Sequence, residues 1–357
     1  MPALDDLETP ALVLRIAAVR RNIQRLADET RGSRIAVRPH AKTHKSPWIA
    51  QQQVSAGAVG ICVSHLHEAD TLAKAGVRDI LITSELPSGA IGRLLQTAEI
   101  AALGVVADDE DFIRSLGAAA RARGLCIRVV IDVNVGQDRC GLDDPADVAR
   151  LADLAASTQG TSFGGIQGYE GHLQHVHGAG ERRQLADIAY GRLARARAEV
   201  EKHGLRIGTV TAAGTGTYRF AMEHGVVTEI QPGSYVVMDG EYGEVEGLAF
   251  EEALFVFGRV VSRTRPKEVI VDIGWKAVST EKGPPRVVGH QATYRPAGDE
   301  HGRISGDVTG LRLGDIVRLL PSHCDTTVDL HSRYVLLSDE DEPVGILPVA
   351  ARGHSPG

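Results

Sequence analysis

Lys42 stands in Arg38-Pro39-His40-Ala41-Lys42-Thr43-His44-Lys45, an amine with cationic groups on either side. In a low-dielectric setting such neighbours depress a lysine pKa and free the amine to condense with a carbonyl. A solvated lysine in a turn is the alternative, and Lys45 competes for the same role. Ala213-Gly214-Thr215-Gly216-Thr217 places two glycines and two hydroxyls before a helix expected near Tyr218. Backbone N–H groups at such a start form a phosphate nest, although Gly and Thr also make ordinary turns. Tyr235 could donate a further hydrogen bond to the same phosphate. Pro321-Ser322-His323-Cys324-Asp325-Thr326 offers an imidazole and a carboxylate two residues apart. If that segment is extended, His323 and Asp325 share one face and Cys324 takes the other. Two ligands leave positions for water and substrate, as a catalytic divalent ion requires, and the oxygen ligand favours Mn or Mg over Zn. Alone, a His-x-Asp is more often a local hydrogen-bonded pair. In Gly168-Tyr169-Glu170-Gly171-His172-Leu173-Gln174-His175-Val176-His177, either His172 or His175 could accept a proton near pH 7, with His177 at the surface or behind them.

These groups share a placement. Short apolar runs occur at residues 35–37, 59–63, 80–83, 103–106, 127–133, 163–167, 209–211 and 227–230, with Ala-, Leu-, Glu- and Arg-rich helical segments between them. Eight such units predict a parallel (β/α)8 TIM barrel, with an open doubly wound sheet as the alternative. Just past the runs come His40 and Lys42, Ser64-His65, Ser84-Glu85, Asp108, Asn134 with Arg139, Tyr169 with His172, residues 214–217, and Gly233-Ser234-Tyr235. That is the rim where a barrel binds its substrate.

Beyond Phe250 the texture turns to short β-rich runs with no convincing helix, which predicts a second, mainly antiparallel β domain. The expected division is residues 15–248 for the barrel, and residues 1–14 with 249–350 for the β domain. The 357 residues suit two domains, and 43% hydrophobic with 24% charged residues excludes a disordered or fibrous chain. A formal charge of -7 without a long basic run excludes a phosphodiester-tracking surface, so no nucleic-acid partner is expected. Four scattered cysteines without CxxC spacing point to a reducing compartment. No apolar stretch reaches membrane-spanning length, and the N-terminus lacks a basic region followed by an apolar run; cytoplasm is the expectation, with no membrane partner.

The segment from Arg38 to Lys45 closely resembles the cofactor-lysine motif of the D-threonine aldolase and D-serine dehydratase group, within the fold-type III pyridoxal-phosphate enzymes typified by alanine racemase. Gly214-Thr215-Gly216-Thr217, the run from Pro232 to Asp239 and the run from Pro321 to Val328 match in order and separation, so the resemblance spans nearly the whole chain. It implies a barrel with a β domain, pyridoxal 5'-phosphate on Lys42, and a homodimer. It further implies that Gly214, Thr215, Gly216, Thr217 and Tyr235 hold the phosphate, that Arg139 approaches the ring oxygen, and that Tyr169 lies near the pyridine edge. His323 and Asp325 match the metal pair of the aldolase branch, where the dehydratase branch has His-x-Cys for Zn, in agreement with ligand hardness. One departure is Tyr169-Glu170-Gly171-His172, where aldolases of the hydroxyaspartate type show Tyr-His-Gly; it leaves the preferred β-substituent open. The expected activity is metal-dependent cleavage of D-threonine or a related D-3-hydroxy amino acid to glycine and an aldehyde. D-serine or 3-hydroxyaspartate dehydration and 3-hydroxy-D-aspartate cleavage are the alternatives. Racemisation needs no ligand for a β-hydroxyl, and a mere cofactor carrier needs neither the histidines nor the metal pair.

Overall fold

The computed structural model describes residues 4–353, which form two compact units. One comprises residues 27–42 and 49–233; the other comprises residues 4–26, 43–48 and 234–353. Residues 1–3 of the expected β domain lie outside the described residues. Strand β1 (Ala11–Arg15) belongs to the second unit.

In the first unit the apolar runs become β2 (Ala36–Val37), β3 (Ile61–Val63), β4 (Asp79–Ile82), β5 (Ala102–Ala107), β6 (Ile127–Asp132), β7 (Thr161–Gly168), β8 (Val210–Ala212) and β9 (Glu229–Ile230). All are parallel, in the order β2-β9-β8-β7-β6-β5-β4-β3. The sheet closes because β2 reaches β3: Val59 N–H donates to Val37 O at 2.9 Å, Cys62 N–H donates to Pro39 O at 2.8 Å, and His40 bridges Cys62. This is the TIM-like barrel, and the open sheet is excluded. Strands covered on both faces need apolar residues at every position, and Ile61, Cys62 and Val63 are wholly buried. Cys62, Leu81, Val106 and Val130 pack together.

The crossovers obey local rules. In Glu110–Ala122 the side chains of Phe112, Ile113, Leu116 and Ala120 are buried at helical spacing, and Asp109 caps the start by accepting from Phe112 N–H at 2.7 Å. In Pro145–Ser157 proline holds the first position and Asp144 accepts from Ala146 N–H at 2.9 Å. Across the barrel's N-terminal mouth, Arg38 bonds Glu229 at 3.0 Å and Asp79 at 2.7 Å, and Arg128 bonds Asp79 at 2.6 Å. The opposite rim is left for chemistry.

The second unit holds β1 with β10 (Leu254–Arg265), β11 (Glu268–Val271), β12 (Arg286–Val287), β13 (Ala292–Pro296), β14 (Gly302–Gly306), β15 (Ile316–Leu320), β16 (Arg333–Leu337) and β17 (Pro343–Pro348). Their order is β11-β14-β13-β12-β15-β10-β1-β16-β17. Long β10 pairs β15 through its first half and, after register shifts at Val260 to Ser262, pairs β11 through its second, so six strands close on themselves. Every pairing is antiparallel except β1 with β16. Val13, Phe255, Phe257, Leu320, Val335 and Leu337 form its core. One expectation is corrected: Cys324–Val328 is a short helix, not a continuation of the β texture. No helix among the described residues is long and apolar enough to cross a membrane.

Candidate active site

Past β2, Lys42 sits in the single helical turn Ala41–Thr43 and is partly buried. Its N–H donates to His40 Nδ1 at 3.3 Å, while His40 Nε2 lies 2.8 Å from Thr83 Oγ1. With Nδ1 accepting, the neutral ring carries its proton on Nε2 and donates to Thr83, whose hydroxyl in turn donates to Val63 O at 3.1 Å. The Lys42 ammonium lies 5.8 Å from the centre of the Tyr169 ring, which extends from the end of β7. Lys45 behaves differently. It is buried in the second unit and forms an ion pair with Asp329 at 2.9 Å.

The loop after β8 is fixed from behind by residues that follow β7. Glu170, fully buried, accepts from the Thr217 hydroxyl at 2.5 Å, the Tyr190 phenol at 2.9 Å and the Ala213 N–H at 3.3 Å. Burial pushes its carboxyl pKa up, and the Thr217 and Tyr190 donors oppose the rise. Gln174 accepts from Gly216 N–H at 2.8 Å and donates to Thr217 Oγ1 at 2.9 Å. Arg182, almost wholly buried, donates to Gly216 O at 2.8 Å. Glycine is required at 216, where a Cβ would lie 2.4 Å from the Gln174 backbone carbonyl oxygen, while at 214 a Cβ would lie 2.5 Å from the Gln174 side-chain amide and displace it. Thus the N–H of Gly216 is directed to Gln174 and that of Gly214 to Thr217 Oγ1, at 3.2 Å. Thr215 and Thr217 are buried within this loop, and the helix Tyr218–His224 follows.

Around the same rim, Asp132 ends β6 beside Glu85, and Gln167 donates to it at 3.1 Å. Burial, then the neighbouring Glu85 charge, push the Asp132 carboxyl pKa well above its ordinary value. Burial and Glu85 also push the Cys140 thiol up to about 11, against the neighbouring Arg139 charge. Arg139 is exposed on a loop organised by Asn134, which accepts from Gly136 N–H at 3.0 Å and donates to Asp138 and Asp143 at 2.9 Å each. His172, in the turn Gly171–Leu173, is exposed and close to where a Cβ on Gly136 would sit. Partial burial lowers its pKa, Asp138 opposes this, and Arg192 lowers it further, so the ring is neutral near pH 7. His175 is half-buried and His177 exposed.

In the second unit, His323 is the N-cap residue of Cys324–Val328. The extended geometry expected for Pro321 to Thr326 is therefore replaced by a turn of helix. His323 Nε2 still lies 3.6 Å from Asp325 Oδ2, and its Nδ1 meets the Glu281 carboxylate. Burial opposes protonation of His323, but Asp325 and Glu281 prevail and raise its pKa to about 9. Cys324 faces away: it is fully buried, and burial beside Asp239 raises its thiol pKa well above normal. Asp239 accepts from Cys324 N–H at 2.8 Å and from Tyr242 N–H at 3.0 Å. Tyr235 is buried in the turn Ser234–Val236, edge-on to Phe250 at 5.3 Å. Among the described residues no group of three or more His, Cys, Asp or Glu is set to hold a metal ion.

Sequence reasoning missed Glu170, Gln174 and Arg182.

An eight-stranded parallel barrel with a lysine at its C-terminal rim, accompanied by an antiparallel β unit, defines the alanine-racemase-like class of pyridoxal-phosphate enzymes. Residues 14–240 match the family described as "Alanine racemase, N-terminal domain", and residues 253–337 match "Putative serine dehydratase domain". The chain is 39% identical to the D-threonine aldolase of Arthrobacter sp., covering 99% of this chain and 94% of that protein. It is 34% identical to the 3-hydroxy-D-aspartate aldolase of Paracoccus denitrificans (strain Pd 1222), covering 99% and 95%. The crystal structure of D-threonine aldolase from Filomicrobium marinum superposes with a TM-score of 0.95 at 36% identity, covering 98% of this chain and 97% of that one. The chain belongs to the D-threonine aldolase and D-serine dehydratase group of fold-type III pyridoxal-phosphate enzymes, and is a lyase of that group.

The donor set fits that cofactor: a rim lysine for its aldehyde, an aromatic ring 5.8 Å away to flank a pyridine, and a rigid glycine–threonine loop before a helix. His323 and Asp325 fit a divalent ion, with Glu281 on the other ring nitrogen orienting the imidazole.

Proposed function

We propose that this chain is a metal-dependent D-threonine aldolase that cleaves D-threonine or a related D-3-hydroxy amino acid to glycine and an aldehyde. The observation that carries this reading is the ligand pair beside the buried thiol. His323 converges with the carboxylate of Asp325 while Cys324 turns into the core, so the segment offers nitrogen and oxygen, not thiolate. The resemblance associates that pair with aldolases. Lys42 would hold pyridoxal phosphate, with Gly214, Thr215, Gly216, Thr217 and Tyr235 toward its phosphate, Arg139 toward its ring oxygen and Tyr169 toward its pyridine edge. The bound cofactor supplies an electron sink adjacent to Cα. Mn or Mg on His323 and Asp325, with Zn as a further candidate, supplies charge that acidifies the β-hydroxyl.

The protein's own part is proton handling and orientation. His172, neutral near pH 7, or His175 through water, accepts the β-hydroxyl proton. The Cα–Cβ bond breaks, its electrons remain with the glycine portion, the oxygen keeps its carbon as an aldehyde, and a proton returns to Cα. Dehydration is the second reading, favoured by the match of residues 253–337 to a serine dehydratase domain. There Lys42 would take the Cα proton and hydroxide would leave, giving a keto acid and ammonia. The working form is read as a cytoplasmic homodimer. Glycine release from D-threonine is the test: it should rise on adding Mn or Mg and be nearly abolished in His323→Ala and Asp325→Ala, both keeping the visible band of bound cofactor. Undiminished turnover in either variant would remove the metal pair from the reaction.

A further inference from the structure

Ala213, Gly216 and Thr217 of the loop 213–217 are each tied by a side chain from the segment after β7, and Gly214 is tied to Thr217 within the loop. Glu170 takes the Ala213 N–H and the Thr217 hydroxyl, and Gln174 and Arg182 take the two backbone groups of Gly216. Polarity runs one way. The Thr217 hydroxyl has a single proton, and giving it to Glu170 leaves its oxygen to accept from Gly214 N–H and the Gln174 amide. Tyr190 adds a second hydroxyl donor to the same carboxylate, so Glu170 serves purely as an acceptor at the centre of the network. Ala213 is held at φ +66°, a left-handed conformation that a residue with a Cβ adopts only when its surroundings impose it, and its N–H bond to Glu170 is part of that constraint.

We propose that Glu170 is a positioning residue for the cofactor's phosphate: its carboxylate sets the Thr217 hydroxyl and the Ala213 backbone, and so the shape of the loop that receives the phosphate. This deepens, and rests on, the reading of residues 214–217 as the phosphate site. It also gives the Tyr-Glu-Gly departure a role. The Glu170 side chain is directed into the core toward Thr217 and Tyr190, so the departure bears on cofactor retention.

The test compares pyridoxal phosphate with pyridoxal, which differ only in the phosphate, by titrating cofactor-stripped enzyme and following the visible band and protein fluorescence. Glu170→Gln keeps the shape but removes the charge and cannot accept at both positions, since an amide oxygen facing the two hydroxyls sets its NH2 against the Ala213 N–H. Thr217→Val removes the hydroxyl from the other side, and Thr217→Ser restores it. Glu170→Gln and Thr217→Val should each weaken pyridoxal phosphate about tenfold or more, the weight of one charge-assisted hydrogen bond, while pyridoxal affinity stays within about threefold. Thr217→Ser should retain the preference for the phosphorylated form. An unchanged preference in folded Glu170→Gln or Thr217→Val, or equal weakening of both ligands, overturns the proposal; if Glu170→Gln does not fold, Thr217→Val decides alone. Failure of the parent enzyme to take up pyridoxal phosphate would instead overturn the cofactor reading itself.

Discussion

Because His40 accepts the Lys42 N–H at one nitrogen and meets Thr83 with the other, the backbone that carries the lysine is set by strands β3 and β4. Lys42→Ala should therefore abolish the visible band of bound cofactor, whereas Lys45→Ala should keep it while losing the ion pair with Asp329. Retention of the band in Lys42→Ala would contradict that assignment. His172 gives a pH prediction. Burial and Arg192 hold its pKa below 6.5 against Asp138, so the neutral ring persists until the pH drops through that lowered value. If it takes the β-hydroxyl proton, kcat/KM falls on the acid side with a midpoint below the ordinary histidine value. His172→Asn should then cost on the order of 100-fold or more. An acid limb unmoved by His172→Asn shifts the role to His175. The Lys42 motif was legible because its residues are contiguous. Glu170 was not: its meaning lies in a hydroxyl 47 residues away, and no local pattern announces that partner.

Among the elements, the barrel strands were readable because burial on both faces leaves only apolar side chains, which stand out as runs. The helix Cys324–Val328 was hidden because Thr326, Thr327 and Val328 are β-branched and favour extended backbone. Tertiary contact decides it: the buried Asp239 carboxylate accepts the Cys324 N–H that opens the helix. The mouth of the barrel is equally a matter of distant partners. Asp79, at the start of β4, faces Arg38 and Arg128; burial opposes its ionisation, but both guanidinium groups hold its pKa below 3.8. A lowered carboxylate pKa stabilises the folded state above the unfolded value, and that contribution is lost as pH falls through the folded value. Asp79→Asn should cost about 2 kcal/mol at pH 7, a buried-pair loss discounted for the partial exposure of Asp79. In urea titrations the gap between parent and variant should narrow as the pH falls below 3.8 and through the lowered folded value. A gap independent of pH would show that the charge pairing is not its source.

At the scale of the whole molecule, the second unit depends on pairings that no local signal carries. β1, near the N-terminus, is inserted between β10 and β16, antiparallel to one and parallel to the other. Only its apolar run was visible in the sequence, since strand partners more than 200 residues apart leave no periodicity. The rim constellation was more legible: Lys42, Tyr169 and the loop 214–217 all follow barrel strands, as the strand–helix alternation required. The central claim is the fate of the Cα–Cβ bond, and product analysis reads it directly. Purified enzyme with pyridoxal phosphate would be incubated with D-threonine, D-serine and both D-configured 3-hydroxyaspartates, with and without Mn, Mg or Zn. Glycine and acetaldehyde from D-threonine, increased by Mn or Mg, are the expected result; 2-oxobutanoate and ammonia in their place would contradict it.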